Sequence, residues 1–253
     1  MPDRRHRREK RALACAADDG RFCASAAARG KITMWTRYAI YYTPPSGPFA
    51  HAGARWLGWD VSCGKPLTAV AGEASEKPRK YGFHGTVKPP FALAEGMSAQ
   101  TLEEEARALC AGLRPVTLEG LQISALGRFL AFTPQGDTAR LASLAAEMVR
   151  GLDAWRRPPT DAELARRRKP GMTDLHEENL KKWGYPYVMD AFRFHMTLTG
   201  PLGNDARVAT QSLASTHFAG CVPKPFEITS LTLCGERADG HFQELARLPL
   251  GAA

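Results

Sequence analysis

One pentapeptide occurs twice in the 253-residue chain, and this repeat restricts the possible folds more than any other feature. The copies read FHGTV at residues 83–87 and FHMTL at residues 194–198. Each copy opens a predicted succession of strand, helix, strand and strand, over residues 83–133 and 192–248. Since the order of elements is the same in both stretches, we infer an internal duplication. The chain is predicted to be an α+β protein built from two equivalent units.

Apolar spacing and turn residues predict the individual elements. Helical periodicity predicts four longer helices, over residues 49–59, 98–113, 137–152 and 205–217. Aromatic and β-branched runs predict strands, over residues 37–43, 83–88, 116–125, 129–133, 192–199, 226–234 and 241–248. Pro89 and Pro90 are expected to end the strand at 83–88, because proline has no N–H to donate. Residues 63–80 are predicted to form a loop, and Thr160 and Thr173 to cap two short helices in a polar insert.

The charge distribution separates a tail from a folded body. Residues 1–33 hold nine basic and four acidic side chains and few large apolar ones, which predicts a disordered extension. Residues 34–253 are predicted to be a bilobal domain, with lobes at about 36–150 and 188–250 and a helical insert at about 153–187. The tail carries most of the net charge of +8, so the body is only mildly basic. This balance argues against a broad nucleic-acid-binding face.

Several classes of protein are disfavoured by composition. No stretch approaches the ~20 apolar residues of a membrane span. The six cysteines and seven histidines show no metal-ligand spacing, so neither a metal nor a cofactor is predicted. No secretory apolar segment follows the basic start, which favours a cytoplasmic location. The oligomeric state is left open, with a monomer favoured.

The repeated motif places chemically useful side chains on one face of each predicted strand. Residues i and i+2 of a strand share a face, so His84 lies beside Thr86, and His195 beside Thr197. Packing of the two units about a pseudo-twofold axis would bring both pairs to one cleft. The same alternation adds substrate-binding candidates, at Lys88, Arg193 and Thr199. Cations and hydroxyls suit a phosphate, and two imidazoles can divide proton transfer between an attacking water and a departing oxygen.

Two H-x-T motifs, each followed by an apolar residue in a duplicated α+β chain, resemble those of the 2H phosphoesterase superfamily. That superfamily includes bacterial RNA 2′,5′-ligase/cyclic phosphodiesterases. The branch of phosphonate metabolism proteins, encoded near carbon–phosphorus lyase genes, is similar over further segments: RYAIYYTPP, WLGWD, YGFHGTVKPPF, ELARRRKPG, NLKKWGYPYV and FRFHMTLTGPL. The resemblance spans about residues 36–250.

The resemblance implies a bilobal LigT-like fold with antiparallel sheets around a central cleft. It also implies metal-independent hydrolysis of a small cyclic or linear phosphodiester in phosphonate breakdown. His84 and His195 would be the acid/base pair, and Thr86 and Thr197 the phosphate-binding hydroxyls; the direction of proton transfer is left open. The partner would be a small phosphate ester.

Two alternatives for the function and two for the insert stay open. An RNA-binding or RNA-end-processing protein would use the same cleft, and a binding protein would keep the fold without the activity. In the insert, the basic run at residues 166–169 is interpreted as an exposed helix end, with phosphate contact as the alternative. The aromatic run at residues 183–187 either packs onto the body or forms a lid over the cleft.

Overall fold

A seven-stranded antiparallel sheet joins the two halves of the chain. The computed structural model describes residues 35–251, so the predicted tail at 1–33 lies outside the described residues. The strands are β1 (Tyr38–Tyr42), β2 (Trp59–Asp60), β3 (Lys65–Pro66), β4 (Gly85–Phe91), β5 (Val116–Leu118), β6 (Gly120–Leu126), β7 (Phe129–Gln135), β8 (Met196–Thr197), β9 (Phe226–Ile228), β10 (Ser230–Glu236) and β11 (Phe242–Pro249). The α-helices are α1 (Pro48–Leu57), α2 (Glu76–Arg79), α3 (Ala99–Ala111), α4 (Ala139–Gly151), α5 (Asp161–Arg167), α6 (Asp174–Trp183) and α7 (Asn204–His217).

In the sheet, the hairpin that ends each duplicated unit lies on the side of the first strand of the other unit. The strand order is β11-β10-β1-β4-β8-β7-β6, so β4 and β8, which begin the two units, lie side by side at the centre. The β6–β7 hairpin of the first unit pairs with β8 of the second, while the β10–β11 hairpin lies beyond β1 on the side of β4. A separate two-stranded sheet pairs β5 with β9. The predicted α+β class, repeated units and antiparallel sheets are confirmed; the division into lobes at 36–150 and 188–250 stays a prediction.

The two faces of the sheet bury different sets of side chains. In β1, Tyr38, Ile40 and Tyr42 belong to the large hydrophobic core. Ala39 and Tyr41 point to the other face, into a smaller cluster. Alternation along one strand therefore supplies both layers, and the smaller cluster lies on the face that carries the first histidine motif.

Two short helices form the polar insert, as their caps predict. The Thr160 side chain accepts a hydrogen bond from the Glu163 N–H at the start of α5, and Thr173 does the same for His176 at the start of α6. α6 ends at Gly184, whose left-handed conformation (φ 71°) suits glycine. Within residues 35–251, no helix combines the length and apolarity needed to cross a membrane.

Several predicted boundaries are wrong. The strands predicted over 116–125 and 226–234 are each divided in two: β5 and β9 pair in the separate sheet, whereas β6 and β10 belong to the seven-stranded sheet. β4 continues through Pro89 and Pro90 to Phe91, because the prolines lie at a register shift against β1 and beyond the single pair that β4 makes with β8. Proline is tolerated at such bulges and open edges. The strand predicted over 192–199 is regular only at β8. Residues 63–80 contain the short β3 and α2 as well as loop.

Candidate active site

The two H-x-T motifs meet across the β4–β8 pair at the centre of the sheet. Gly85 is the antiparallel Cα partner of Met196. Extending this register by one residue in each direction sets His84 opposite Thr197, and Thr86 opposite His195. The residues on either side of Gly85 and of Met196 all point to the same face of the sheet. On such a face, diagonal neighbours such as His84 and His195 lie about 7–8 Å apart between Cα atoms. The backbone register therefore assembles two imidazoles and two hydroxyls into one cluster, which we call the two-histidine cluster.

Both imidazoles are oriented in the same way. The Nδ1 atom of His84 lies 2.9 Å from the carbonyl oxygen of Gly82, and Nδ1 of His195 lies 2.8 Å from that of Arg193. A carbonyl oxygen only accepts hydrogen bonds, so each Nδ1 carries the hydrogen. Each neutral ring therefore has its lone pair on Nε2, where it can accept a proton. In both motifs the orienting carbonyl lies two residues before the histidine, as expected of duplicated sites.

The surroundings of His84 favour its neutral form. Desolvation by the surrounding protein lowers the pKa of His84 to about 4; the hydrogen bond to Gly82 opposes this shift, and the charge of His195 adds to it. The last effect shows that the two imidazoles lie within electrostatic reach of each other. Nε2 of His84 is 3.1 Å from the Thr86 hydroxyl, which donates to it when the ring is neutral. His84 is therefore available as a proton acceptor at neutral pH.

Aromatic rings flank both histidines, and the sequence did not identify them. The Tyr41 ring lies against His84, with centroids 3.9 Å apart and planes inclined by 32°. The Phe129 ring lies 5.9 Å from that of His195. Tyr41 is the Cα partner of Thr86, which places its ring beside the histidine two residues earlier. Arg37 and Tyr41 alternate with Tyr38 and Tyr42 in the sequence, and this alternation alone does not determine which of the two faces meets the motif.

Lys88 does not join the two-histidine cluster. A β-bulge between the pairs Tyr41↔Thr86 and Ile40↔Lys88 breaks the alternation on which its predicted position rests. Its ammonium group is buried, donates to the Val149 carbonyl of α4 at 3.0 Å and lies 4.0 Å from Asp153. Desolvation lowers the pKa of Lys88 to about 8, although Asp153 opposes the shift.

The two other predicted substrate-binding residues make local contacts. Arg193 is exposed, and its Nη1 donates to the carbonyl oxygens of Asp190 and Phe192, at 3.2 and 2.7 Å. Thr199 is buried; its hydroxyl accepts from the Leu130 N–H and donates to the Gly200 carbonyl. These bonds hold the ends of the second motif segment in place.

One family of proteins matches most of the described residues. The family described as "Protein of unknown function (DUF1045)" matches residues 86–243, which is more than half of the chain. The chain belongs to this family. The match covers Thr86 and the whole second motif, and it begins just after His84.

Two curated relatives of this DUF1045 chain have the same name, "Ribose 1,5-bisphosphate phosphokinase PhnN". The one from Janthinobacterium sp. (strain Marseille) is 36% identical over 229 residues, covering 85% of this chain and 51% of that protein. The one from Laribacter hongkongensis (strain HLHK9) is 33% identical over 226 residues, covering 84% and 51%. The chain thus spans about half the length of the curated relatives it matches.

Solved structures with a distant likeness to the DUF1045 chain include those of a phosphoesterase and of E.coli LigT. A "Crystal structure of phosphoesterase" covers 86% of this chain and 99% of that chain, at 17% identity and a TM-score of 0.41. The "Crystal structure of E.coli LigT complexed with 3'-AMP" gives the same coverage and TM-score at 16% identity.

Proposed function

We propose that the chain is a metal-independent phosphodiesterase of the 2H type, which hydrolyses a small cyclic or linear phosphodiester. The observation that carries the proposal is the two-histidine cluster: two imidazoles, each immediately before one of two neighbouring strands, with Nδ1 fixed by a carbonyl and Nε2 left for proton transfer. Each imidazole has a threonine hydroxyl beside it and another opposite. This arrangement matches the needs of phosphodiester hydrolysis, in which one group takes a proton and another returns one.

In the proposed reaction, His84 is the base and His195 the acid. Nε2 of His84 accepts a proton from water as the water oxygen forms its bond to phosphorus. The bond from phosphorus to the leaving oxygen breaks, and Nε2–H of His195 donates the proton that this oxygen gains. The low pKa of His84 supports the assignment, since a base must be neutral when the substrate binds. The hydroxyls of Thr86 and Thr197 bind the non-bridging oxygens.

The names of the relatives support a role in phosphonate catabolism. The cytoplasmic location and the monomeric state that the sequence favours belong to the same proposal, and the names do not bear on them. The names refer to a ribose with phosphates at two positions. We do not extend their kinase activity to this chain, because it covers half of each relative and its sequence contains no G-x-x-x-x-G-K-[ST] phosphate-binding loop. A phosphorylated ribose that also carries a cyclic phosphodiester is the kind of substrate we propose.

The first experiment removes each imidazole in turn. We expect His84→Ala and His195→Ala each to lower kcat about 10²–10⁴-fold on the best substrate among 2′,3′-cyclic nucleotides and ribose cyclic phosphates. Product formation is followed by ³¹P NMR, and thermal unfolding checks that both variants fold. EDTA should leave the activity of the wild-type protein unchanged.

A matched control uses a histidine on the other face of the sheet. His217 donates from Nε2 to the Ala52 carbonyl and packs against Trp56 and Phe218, away from the two-histidine cluster. His217→Gln should keep wild-type turnover after correction for folded fraction. Wild-type rates in either cluster variant would contradict the proposal, and so would inactivation by EDTA. Tight, salt-dependent binding of single-stranded RNA without turnover of small esters would favour the RNA-binding alternative.

A further inference from the structure

A group of cations, separate from the two-histidine cluster, lines a cavity of about 190 Å³ beside the end of β4. Its guanidinium groups come from three parts of the chain, and we call it the arginine pocket: Arg37, Arg156, Arg157 and Arg167, with Lys88 at its wall. Backbone contacts hold its two central arginines: Leu93 pairs with Arg156, and the Arg157 N–H donates to the Ala92 carbonyl. The start of the insert is thereby fixed against the segment that follows β4.

The cations of the arginine pocket outnumber the carboxylates that pair with them by two. Glu236 pairs with Arg37, and Glu163 with Arg157. Asp153 is shared between Lys88 and Arg156. Arg167 has no salt bridge to any residue between 35 and 251. A phosphomonoester near neutral pH carries about −1.5 to −2 charges, which would balance this excess.

Two guanidinium groups have unused capacity. Nη1 of Arg156 is buried without a hydrogen-bond partner in the described part of the chain. Arg167 donates to the Gly184 carbonyl at 2.8 Å and lies over the Tyr185 ring. Desolvation lowers the pKa of Arg167; the charges of Arg37 and Arg156 lower it further, whereas Tyr185 and the charge of Glu163 oppose the shift. A bound anion would accept a hydrogen bond from the unpaired Nη1 of Arg156. It would also reduce the repulsion among the cations of Arg37, Arg156 and Arg167.

The arginine pocket is adjacent to the two-histidine cluster. Lys88 and Phe91 line it and follow Thr86 on β4, so at about 3.3 Å per residue the pocket begins roughly 7 Å from the motif. Tyr41 lies between the two sites: its ring packs against His84, and the pKa of its hydroxyl is raised by burial, a shift that the nearby Arg37 charge opposes. One small molecule can therefore reach both.

We propose that the arginine pocket binds a second phosphate group of the substrate while the two-histidine cluster acts on the phosphodiester. The proposal rests on the proposed function and narrows it to a small phosphodiester, such as a sugar cyclic phosphate, that also carries a terminal phosphate. Guanidinium groups suit this ligand because they bind phosphate oxygens in pairs. The other basic residues of the run at 166–169 take no part: Arg168 pairs with Glu177 at the surface.

A binding experiment tests the arginine pocket without requiring turnover. Ribose 5-phosphate is titrated calorimetrically into the wild-type protein and into the His84→Ala/His195→Ala variant, with ribose as the control ligand. We expect both proteins to bind ribose 5-phosphate and neither to bind ribose at the same concentrations. Arg167→Gln should weaken binding roughly 10–100-fold, since a charged hydrogen-bond donor is lost. The matched control Arg166→Gln removes an exposed charge from the same helix and should bind as wild type does.

A kinetic experiment separates this proposal from the proposed function. kcat/KM is compared for adenosine 2′,3′-cyclic phosphate with and without a 5′-phosphate. The wild type should prefer the 5′-phosphorylated ester at least tenfold, and Arg167→Gln should lose most of that preference, mainly through KM. Arg167→Lys, which keeps the charge but not the paired donors, should fall between the two.

The outcomes are distinguishable. One outcome is equal affinity for ribose 5-phosphate and ribose, together with histidine-dependent turnover that the 5′-phosphate does not change. This outcome would refute phosphate binding by the arginine pocket and would still support the phosphodiesterase activity. Binding of ribose 5-phosphate that depends on Arg167, without turnover of either ester, would keep the pocket and refute the phosphodiesterase. Thermal unfolding of Arg167→Gln checks that any loss is not a loss of fold.

Discussion

The depressed pKa of His84 has a consequence for stability that can be measured without a substrate. Unfolding restores the imidazole to its ordinary pKa of 6.5, whereas in the folded protein the value is about 4. Between these values the unfolded chain binds one proton more than the native protein. The contribution of His84 to the free energy of unfolding is therefore present above pH 6.5 and is lost as the pH falls towards 4.

The size of the effect follows from the shift. Each pKa unit corresponds to about 1.4 kcal/mol, so the loss between pH 7 and pH 4 reaches about 3 kcal/mol at most. The His84 ring is partly exposed, so the measured value should be somewhat smaller. Urea unfolding at pH 7, 5.5 and 4.5 gives the pH dependence for the wild type and for His84→Gln. All other titrating groups are common to both proteins, so the difference between the two pH dependences isolates His84.

His84→Gln should lose less stability on acidification than the wild type does. In the wild type, the same shift should place the acid limb of the kcat/KM profile near pH 4 rather than near pH 6.5, because the base must be neutral. Identical pH dependences of unfolding for the two proteins would show that burial does not lower the pKa of His84. The assignment of His84 as the base would then lose its electrostatic support, although the geometry of the cluster would remain.

Two further predictions test the packing around the site and the insert. A Cβ atom at Gly53 would lie 1.8 Å from the Phe83 ring, so Gly53→Ala should cost about 1–3 kcal/mol in urea unfolding, whereas Gly112→Ala, with its nearest contact at 3.5 Å, should be close to neutral. Unchanged stability in Gly53→Ala would show that Phe83 can move aside. Thr173→Ala removes the cap of α6 and should cost about 1 kcal/mol, seen as faster amide exchange in α6; exchange at the wild-type rate would refute the role of the cap.

Local signals in the sequence were sufficient for most of the elements. Thr160 and Thr173 were predicted as caps, and each side chain accepts the expected hydrogen bond. Helices α4 and α7 begin and end within two residues of their predicted bounds. These features depend on contacts a few residues apart in the chain, so apolar period and capping residues identify them. The prediction of a strand over 192–199 was wrong because the hydrogen bonds between strands depend on partners far away in the sequence.

The arginine pocket shows what a single sequence leaves undetermined. Arg37 precedes β1, Arg156 and Arg157 follow α4, and Arg167 ends α5, so about 130 residues separate the first from the last. No spacing rule relates them. In the sequence Arg167 was one member of a basic run, and only the return of the chain at Tyr185 distinguishes it from its exposed neighbours. A composite pocket of this kind depends on tertiary contacts that periodicity does not report.

The contrast between Thr86 and Lys88 explains why the sequence located the two-histidine cluster but misplaced the cations. Both predictions used the same rule, that residues two apart on a strand share a face. The rule holds between His84 and Thr86, because Gly85 and Thr86 pair in regular register with β1 and Gly85 also pairs with β8. Two residues later a bulge adds one residue to β4, and the Lys88 ammonium turns towards α4. Alternation is therefore reliable over one step within a motif, but each further step requires that the ladder remain unbroken, which depends on the partner strand.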